Sequence, residues 1–438
     1  MTHRLHRRRF LQAGLASGMV LAGLPASSGA VAQERSPNEK LNLAFVGVAN
    51  KGWDNVQQLA GQNVAALCDV DSNLLDKAAA THKAANKYRD YRVMLDKEKG
   101  IDGVVVSTAD HTHALPTALA ITLGKAVYCE KPLTHTVAEA RHIAALTAKH
   151  KVVTQMGTQI HAGDNYRRVV ELIRAGAIGP VTEVYCWCNK GWSNGKFGAA
   201  APVPANLDWD LWLGPAEKRE YCDGVHPANW RRFWEYGSGT FGDMACHVMD
   251  LPYWALGLRY PKRITAEGPP VDAVGAPSWV KCQFDFAATK DHPALKLYWS
   301  DGGAHHDKVA GMAVDGKPLK DWGLGILFVG EKGMLVADYG RRVLLPEAQF
   351  KEYKAPEPTI AKSIGHWNEF ANAVKTKGET TCHFGYSALL TECILLGVVA
   401  YRAGVPVEYD VEKGTTSAEA ARKYLTKEYR KGFEVAGM

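Results

Sequence analysis

Strand-like and helix-like stretches alternate between Leu41 and Gln159, and the first junction carries Gly47-x-Ala49-x-x-Gly52. Strands separated by helices cannot pair as hairpins. Each helix returns the chain to the same end, so the strands run parallel and helices cover both faces. "LNLAFVGVANKGWDN" reads as a buried strand, a turn and a helix. The first glycine of such a turn permits the tight bend, and the third lets helix pack on strand. The middle one lets a pyrophosphate approach N–H groups at the helix N-terminus. Ala49 stands at that middle position, with Asn50 beside it.

A second strand, "NVAALCDVD", places Asp69 about twenty residues beyond the glycines, where a carboxylate accepts hydrogen bonds from an adenosine ribose. An acid there repels a 2′-phosphate, so NAD is expected over NADP, with NADP still possible. "IDGVVVST", a helix through "HALPTALAITLGK", "AVYCEKP", a helix through "TVAEARHIAALTAKHK", and "VVTQMGTQ" continue the alternation. The expected fold is α/β with a doubly wound parallel sheet. Ligands of such sheets sit at the carboxyl ends of the strands. Thr108, His113, Glu130, Lys131 and Gln159 lie at or just past those ends and complete the candidate cofactor set.

"VYCEKPLT" poses a sharper question, because Glu130 and Lys131 stand between a buried strand and Pro132. Strands often end in polar residues, but strand-end position puts this lysine on the cofactor edge. Further on, "GSGTFGDMACHVMDLPYWAL" spaces Asp243 and His247 four apart, one turn from each other on one helix face. That spacing suits a carboxylate orienting an imidazole that exchanges a proton with a hydroxyl.

The fingerprint, the stretch "STADHTHALPTALAITLGKAVYCEKPL" and the Gly-Asp-x-x-x-His helix together resemble the Gfo/Idh/MocA oxidoreductase family. The likeness runs from about Leu41 to Tyr409. It implies an N-terminal Rossmann domain (41–160), an α+β substrate and oligomerisation domain (161–365), and C-terminal helices (366–438) folding back on the first domain. The second domain is expected to carry a large, mainly antiparallel open sheet. Its β-rich stretches "VTEVYCWC", "WVKCQFDF", "LKLYWS" and "LGILFVGEKGMLVAD" fit that expectation, with a turn at Gly330 to Gly333. The resemblance also implies an active-site role for Lys131, a cis Lys131–Pro132 bond, and a cofactor and substrate edge at His161 and Tyr166. In the implied catalysis His247 accepts the hydroxyl proton, Asp243 holds substrate and histidine in register, and Lys131 stabilises charge on the same oxygen.

Six of the twelve tryptophans fall between Val181 and the Asp243 helix. Aromatic faces stack on sugar C–H faces, yet large aromatics are mostly buried. Trp209 and Trp212 are expected in the core, and Trp230 and Arg231 are the expected substrate contacts, with His226 and Asn229 as possible readers of hydroxyls. His305-His306-Asp307 is a poor chelating arrangement and reads as exposed loop, so no metal is expected.

At the N-terminus, "HRRRFLQ", a weakly apolar run and Ala30-Val31-Ala32 match a twin-arginine export signal over residues 1–32. Export is therefore expected, with no stable membrane span after cleavage; a retained membrane anchor is the alternative. Four of the 52 Lys and Arg leave with that segment and none of the 46 acidic residues do, so a net charge of +6 falls to +2. That balance argues against a nucleic-acid partner. The nine cysteines are an odd number without chelating spacing, so no disulfide framework is expected.

With the resemblance, these features make the expected function that of an oxidoreductase that transfers a hydride between a nicotinamide cofactor and a hydroxyl or keto carbon of a sugar or cyclitol. Outside the cytosol free cofactor is scarce, so tight binding is expected. The alternatives are a redox-neutral glycosidase, lyase or epimerase working through a keto-sugar, and a binding protein without catalysis. Retention of Lys131, Asp243 and His247 together counts against the last. A homo-oligomer is possible.

Overall fold

Six parallel strands build the first sheet: β1 (Asn42–Val46), β2 (Asn63–Cys68), β3 (Asn86–Tyr88), β4 (Gly103–Val106), β5 (Ala126–Cys129) and β6 (Thr154–Met156), in the order β3-β2-β1-β4-β5-β6. β4 and β5 are buried along their whole length, as parallel strands covered by helices on both faces must be. The edge strand β3 is three mostly polar residues, too short to show a hydrophobic period. The computed structural model describes residues 39–438, which belong to one compact unit; the expected export signal at 1–32 lies outside them.

Local signals set the helix starts. Asp71 accepts from the N–H groups of Asn73 and Leu74 at the start of Ser72–Thr81. Thr136 and Glu139 form a reciprocal capping box on Val137–His150.

The second sheet has nine strands: β7 (Val181–Cys188), β8 (Arg263–Glu267), β9 (Lys281–Phe286), β10 (Leu295–Asp301), β13 (Leu324–Gly330), β14 (Gly333–Ala337), β15 (Arg342–Leu345), β16 (Val407–Asp410) and β17 (Thr415–Thr416); a small ribbon, β11 (Ala313–Val314) with β12 (Lys317–Pro318), stands apart. Their order is β15-β14-β13-β7-β10-β9-β8-β16-β17. All pairs are antiparallel except β7 with β10, so the sheet is mixed but mostly antiparallel. β9 alternates half-buried and buried residues, with one face on the core.

Helix Phe384–Ala403 is long and apolar enough to cross a bilayer by composition, yet it is largely buried inside the protein. Its apolar character on all sides follows from that position, since it packs both on Val137–His150 and on the second sheet. Gly397 makes the close approach possible, because a Cβ there would lie 2.8 Å from the Phe284 ring of β9 and 2.4 Å from the Phe241 ring of helix Gly239–Val248. The one acid in this stretch, Glu392, is buried against Arg141 of Val137–His150 at 2.9 Å. All nine cysteines are free and buried.

Candidate active site

A cavity of about 470 Å³ opens where the carboxyl ends of β1, β2, β4 and β5 face helix Gly239–Val248, which packs on the second sheet. Gly47, Ala49, Asn50, Asp69, Thr108, His113, Glu130, Lys131 and Gln159 border it, as do Trp230, Arg231, Asp243 and His247. Gly52 stands behind the loop rather than on the cavity, and its job is close packing: a Cβ there would meet the Gly47 carbonyl oxygen at 2.2 Å. Gly47 has φ +83°, and its N–H donates to Cys68 O at 2.8 Å, which ties the loop to the end of β2. Asn50 is itself left-handed, at φ 49°, just before helix Lys51–Gln58.

These groups suit a dinucleotide. A helix N-terminus and a tight glycine loop face the cavity where a pyrophosphate needs donors. Asp69, at the next strand end, accepts from Val48 N at 2.9 Å and from Asp71 N at 3.0 Å, so its carboxylate is held in place beside the loop. Burial raises its pKa, against the pull of those two N–H groups. Glu130 is buried and structural in its contacts: it accepts from Asn55 Nδ2 at 3.0 Å and from the Tyr128 hydroxyl at 3.3 Å. Asn55 in turn accepts from Trp367 Nε1 at 2.9 Å, so Glu130 locks β5 to the first helix and to His366–Thr376. His113 holds the other side of the Glu-Lys-Pro turn, with Nδ1 2.7 Å from Pro132 O and Nε2 3.1 Å from Thr108 O.

With its neighbours anchored, Lys131 crosses the cleft. Its ammonium pairs with Asp243 Oδ1, and Arg231 Nε reaches the same oxygen at 3.1 Å. The Lys131–Pro132 bond is cis. Two adjacent cations hold the Asp243 carboxyl far below the usual range, overcoming the upward push of burial. Asp243 and His247 do share one helix face, but among the described residues no hydrogen bond joins them. The carboxylate is occupied by Lys131 and Arg231, so the expected carboxylate–imidazole orientation is replaced by a carboxylate–ammonium pair. His247 Nδ1 is buried without a partner. Burial, helped by Lys131 and opposed by Asp243, lowers His247 to about 3, so its imidazole is neutral at physiological pH.

Asp110 was not singled out by sequence, although it sits in the quoted "STADHTH" turn after β4. It is fully buried, 3.4 Å from Arg231 Nη2, with Oδ2 unpartnered, and burial raises it to about 6 despite Arg231 and Lys131. Its signal was a charge beside a strand end, which chain position alone cannot distinguish from a solvated turn.

His161 and Tyr166 are corrections, because neither borders the cavity. His161 is buried, stacked 4.1 Å from Trp254, with Nδ1 2.9 Å from the Asp250 carboxylate. The Tyr166 hydroxyl donates to His247 O at 2.9 Å. Both brace the helix pair that carries Asp243 and His247. His161, Asp250 and Cys382 bring ligand atoms within 4.8 Å of one another, yet burial holds Cys382 as a thiol and Asp250 already engages His161 and Tyr386. Trp209 is a core residue, as expected, whereas Trp212 both stacks on it at 4.7 Å and borders the cavity. His305 and His306 are half-buried rather than exposed.

Two segments distant in sequence cover the nucleotide end. Leu207 forms a β-bridge with Asp71, Asp208 N donates to Val70 O at 3.0 Å, and His226 Nε2 lies 3.2 Å from Asp71. The C-terminal tail adds Phe433 to the cavity wall. Arg92 and Arg430 each stand 4.6 Å from the Phe433 ring, and Arg430 donates to Gly214 O at 2.8 Å.

A parallel sheet with a glycine turn at its carboxyl edge, joined to an open mixed sheet, defines a two-part nicotinamide-dinucleotide-binding fold. The profile described as "Oxidoreductase family, NAD-binding Rossmann fold" matches residues 41–158, and that of the "Oxidoreductase family, C-terminal alpha/beta domain" matches 177–293. The chain belongs to the Gfo/Idh/MocA oxidoreductase family. It is 32% identical over 151 residues to inositol 2-dehydrogenase 1 of Saccharopolyspora erythraea, covering 33% of this chain and 45% of that protein. It is 25% identical over 204 residues to glycosyl hydrolase family 109 protein 1 of Shewanella sp. strain ANA-3, covering 40% and 44%. The matches thus span under half the length of these relatives. The scyllo-inositol dehydrogenase of Lactobacillus casei, solved with NAD(H) and scyllo-inositol, superposes with a TM-score of 0.55 at 16% identity, over 84% of this chain and 99% of that one.

Proposed function

We propose that this chain transfers a hydride between NAD and a hydroxyl-bearing carbon of a sugar or cyclitol. One observation carries the reading: Lys131 from just past β5 and Asp243 and His247 from helix Gly239–Val248 converge on one cavity, which also takes in the fingerprint loop and Asp69. When bound, the nicotinamide supplies the hydride acceptor that no side chain offers. Neutral His247 accepts the hydroxyl proton at a ring nitrogen. Lys131, held by Asp243, donates to the same substrate oxygen as charge develops on it. Asp243 keeps Oδ1 on Lys131 and Arg231, so Oδ2 is its acceptor for a neighbouring hydroxyl. Trp230, with Arg231 4.3 Å from its ring, forms part of the wall around the sugar. Asp69 favours NAD over a 2′-phosphorylated cofactor.

The Leu207 bridge and the Phe433 tail support a retained cofactor, which suits an exported enzyme directed by the twin-arginine segment. A redox-neutral reading, oxidation followed by elimination and return of the hydride, is supported by the family 109 relative and uses the same residues. The test is to denature the purified chain and assay released nicotinamide, then to follow NADH on adding polyols and sugars. NAD at one equivalent with substrate-dependent reduction is the expected result. A chain that neither carries nor binds NAD would overturn the proposal, whereas aglycone release without net NADH would select the redox-neutral form.

A further inference from the structure

A second cavity, about 590 Å³, adjoins the first through Lys190, which borders both. It runs from the end of β7 to the β14–β15 turn and is lined by Asn189, Gly323, Leu324, Tyr339 and Gly340. Its volume falls in the roughly 300–1,000 Å³ range of small-ligand clefts. The Tyr339 ring lies 6.5 Å from the His247 imidazole at 72°, so the groove starts beside the proton-accepting group. A Cβ at Gly323 or Gly340 would meet nothing within 4 Å, which leaves these positions open.

Its polar groups are few and available. Among the described residues neither the Lys190 ammonium nor the Tyr339 hydroxyl has a hydrogen-bond or ion-pair partner. Asn189 donates to Lys320 O at 3.0 Å and Trp322 O at 3.3 Å, which leaves its amide oxygen as an acceptor. The one acid, Asp338, is committed to the N–H groups of Gly340 and Arg341 and to the Arg341 guanidinium. An aromatic ring, open glycines and a small set of neutral or cationic hydrogen-bonding groups match a hydroxylated ring better than a peptide or an oligonucleotide.

We propose that this groove holds a second sugar unit, joined by a glycosidic bond to the ring that reacts, so that the substrate is a glycoside rather than a free monosaccharide. The inference rests on the hydride-transfer reading above and names its substrate class. The first cavity takes the reacting ring beside Lys131 and His247. The adjoining unit lies over Tyr339 with Lys190 between the two.

The experiment compares kcat/KM for cofactor reduction with matched monosaccharides and disaccharides, and their affinities by calorimetry, in the wild type, Gly323→Trp and Lys190→Ala. Near-ultraviolet circular dichroism and NAD binding check that each variant is folded. The wild type should favour the disaccharide at least ten-fold, and Gly323→Trp should lower that preference at least ten-fold. An unchanged preference in folded Gly323→Trp, or none in the wild type, overturns the subsite while leaving the hydride-transfer reading intact. Disaccharide binding that depends on Gly323, without oxidation of any sugar, keeps the subsite and overturns the hydride-transfer reading. An unchanged preference with Lys190 crosslinked to a second copy would give the groove to self-association and overturn the proposal.

Discussion

Replacing Lys131 by Met separates its structural role from its chemical one. The Lys131 and Asp243 side chains are 12% and 7% exposed. Breaking a buried pair from one side costs about 3–5 kcal/mol. Arg231 Nε stays 3.1 Å from the same oxygen, so the lower end applies and the chain should still fold. The kinetic loss has a different origin, namely a missing donor to the oxygen on which charge develops, worth about 10²–10³ in kcat. Two titrations should move with it. Asp243 loses its largest lowering partner, and His247 loses the charge that adds most to its burial shift, so both pKa values rise. Because a protonated imidazole cannot accept a proton, the acid limb of the residual activity should move to higher pH. Single-turnover reduction of bound NAD across a pH series, with a thermal melt for each variant, measures all of this. A fall in rate below about three-fold, equivalent to about 0.7 kcal/mol, would refute the assignment of Lys131 to the reacting oxygen.

Gly52→Ala should destabilise by about 1–3 kcal/mol and weaken NAD binding, since its Cβ would lie 2.2 Å from the Gly47 carbonyl; a normal melt and normal affinity would contradict the packing argument. Burial lowers His113 to about 4 and His247 and His366 to about 3, from 6.5. The unfolded chain therefore binds more protons in that window, so stability is full above pH 6.5 and falls as pH drops towards 4, by about 3 kcal/mol for His113 alone; proton uptake on acid unfolding would show it. Arg430→Ala should free the Phe433 tail and speed exchange of labelled NAD at least ten-fold, with little change in the melting temperature; an unchanged exchange rate would detach the tail from cofactor retention.

Much of the first sheet was legible because its information is local. Buried apolar runs, helix-length spacers and the Gly47–Gly52 turn each fix their own neighbourhood, and a parallel sheet is what such units build. β3 escaped because three polar residues at an edge carry no period. The strands of the second sheet could be read one by one, but the parallel pairing of β7 with β10 inside a mostly antiparallel sheet could not. Register between distant strands depends on which faces find a partner, and chain order is silent on that. His161 and Tyr166 show the same limit at the site. The family resemblance implied a place for them at the cleft, but packing turned His161 to Asp250 and Tyr166 to the backbone of His247.

What the sequence determined by itself was where the candidate groups stand: Lys131 at a strand end, Asp243 and His247 on one helix face, and Asp69 beyond the glycine turn. Periodicity and turn chemistry act over a few residues and place each of these on its own element. The tertiary structure decided whom they meet. Asp243 answers to Lys131, 112 residues away, and to Arg231, not to the histidine four positions on. Burial leaves His247 neutral, while Lys131 and Arg231 keep Asp243 ionised against the push of burial. Desolvation and charge pairing depend on distance in space, and only the folded chain sets those distances.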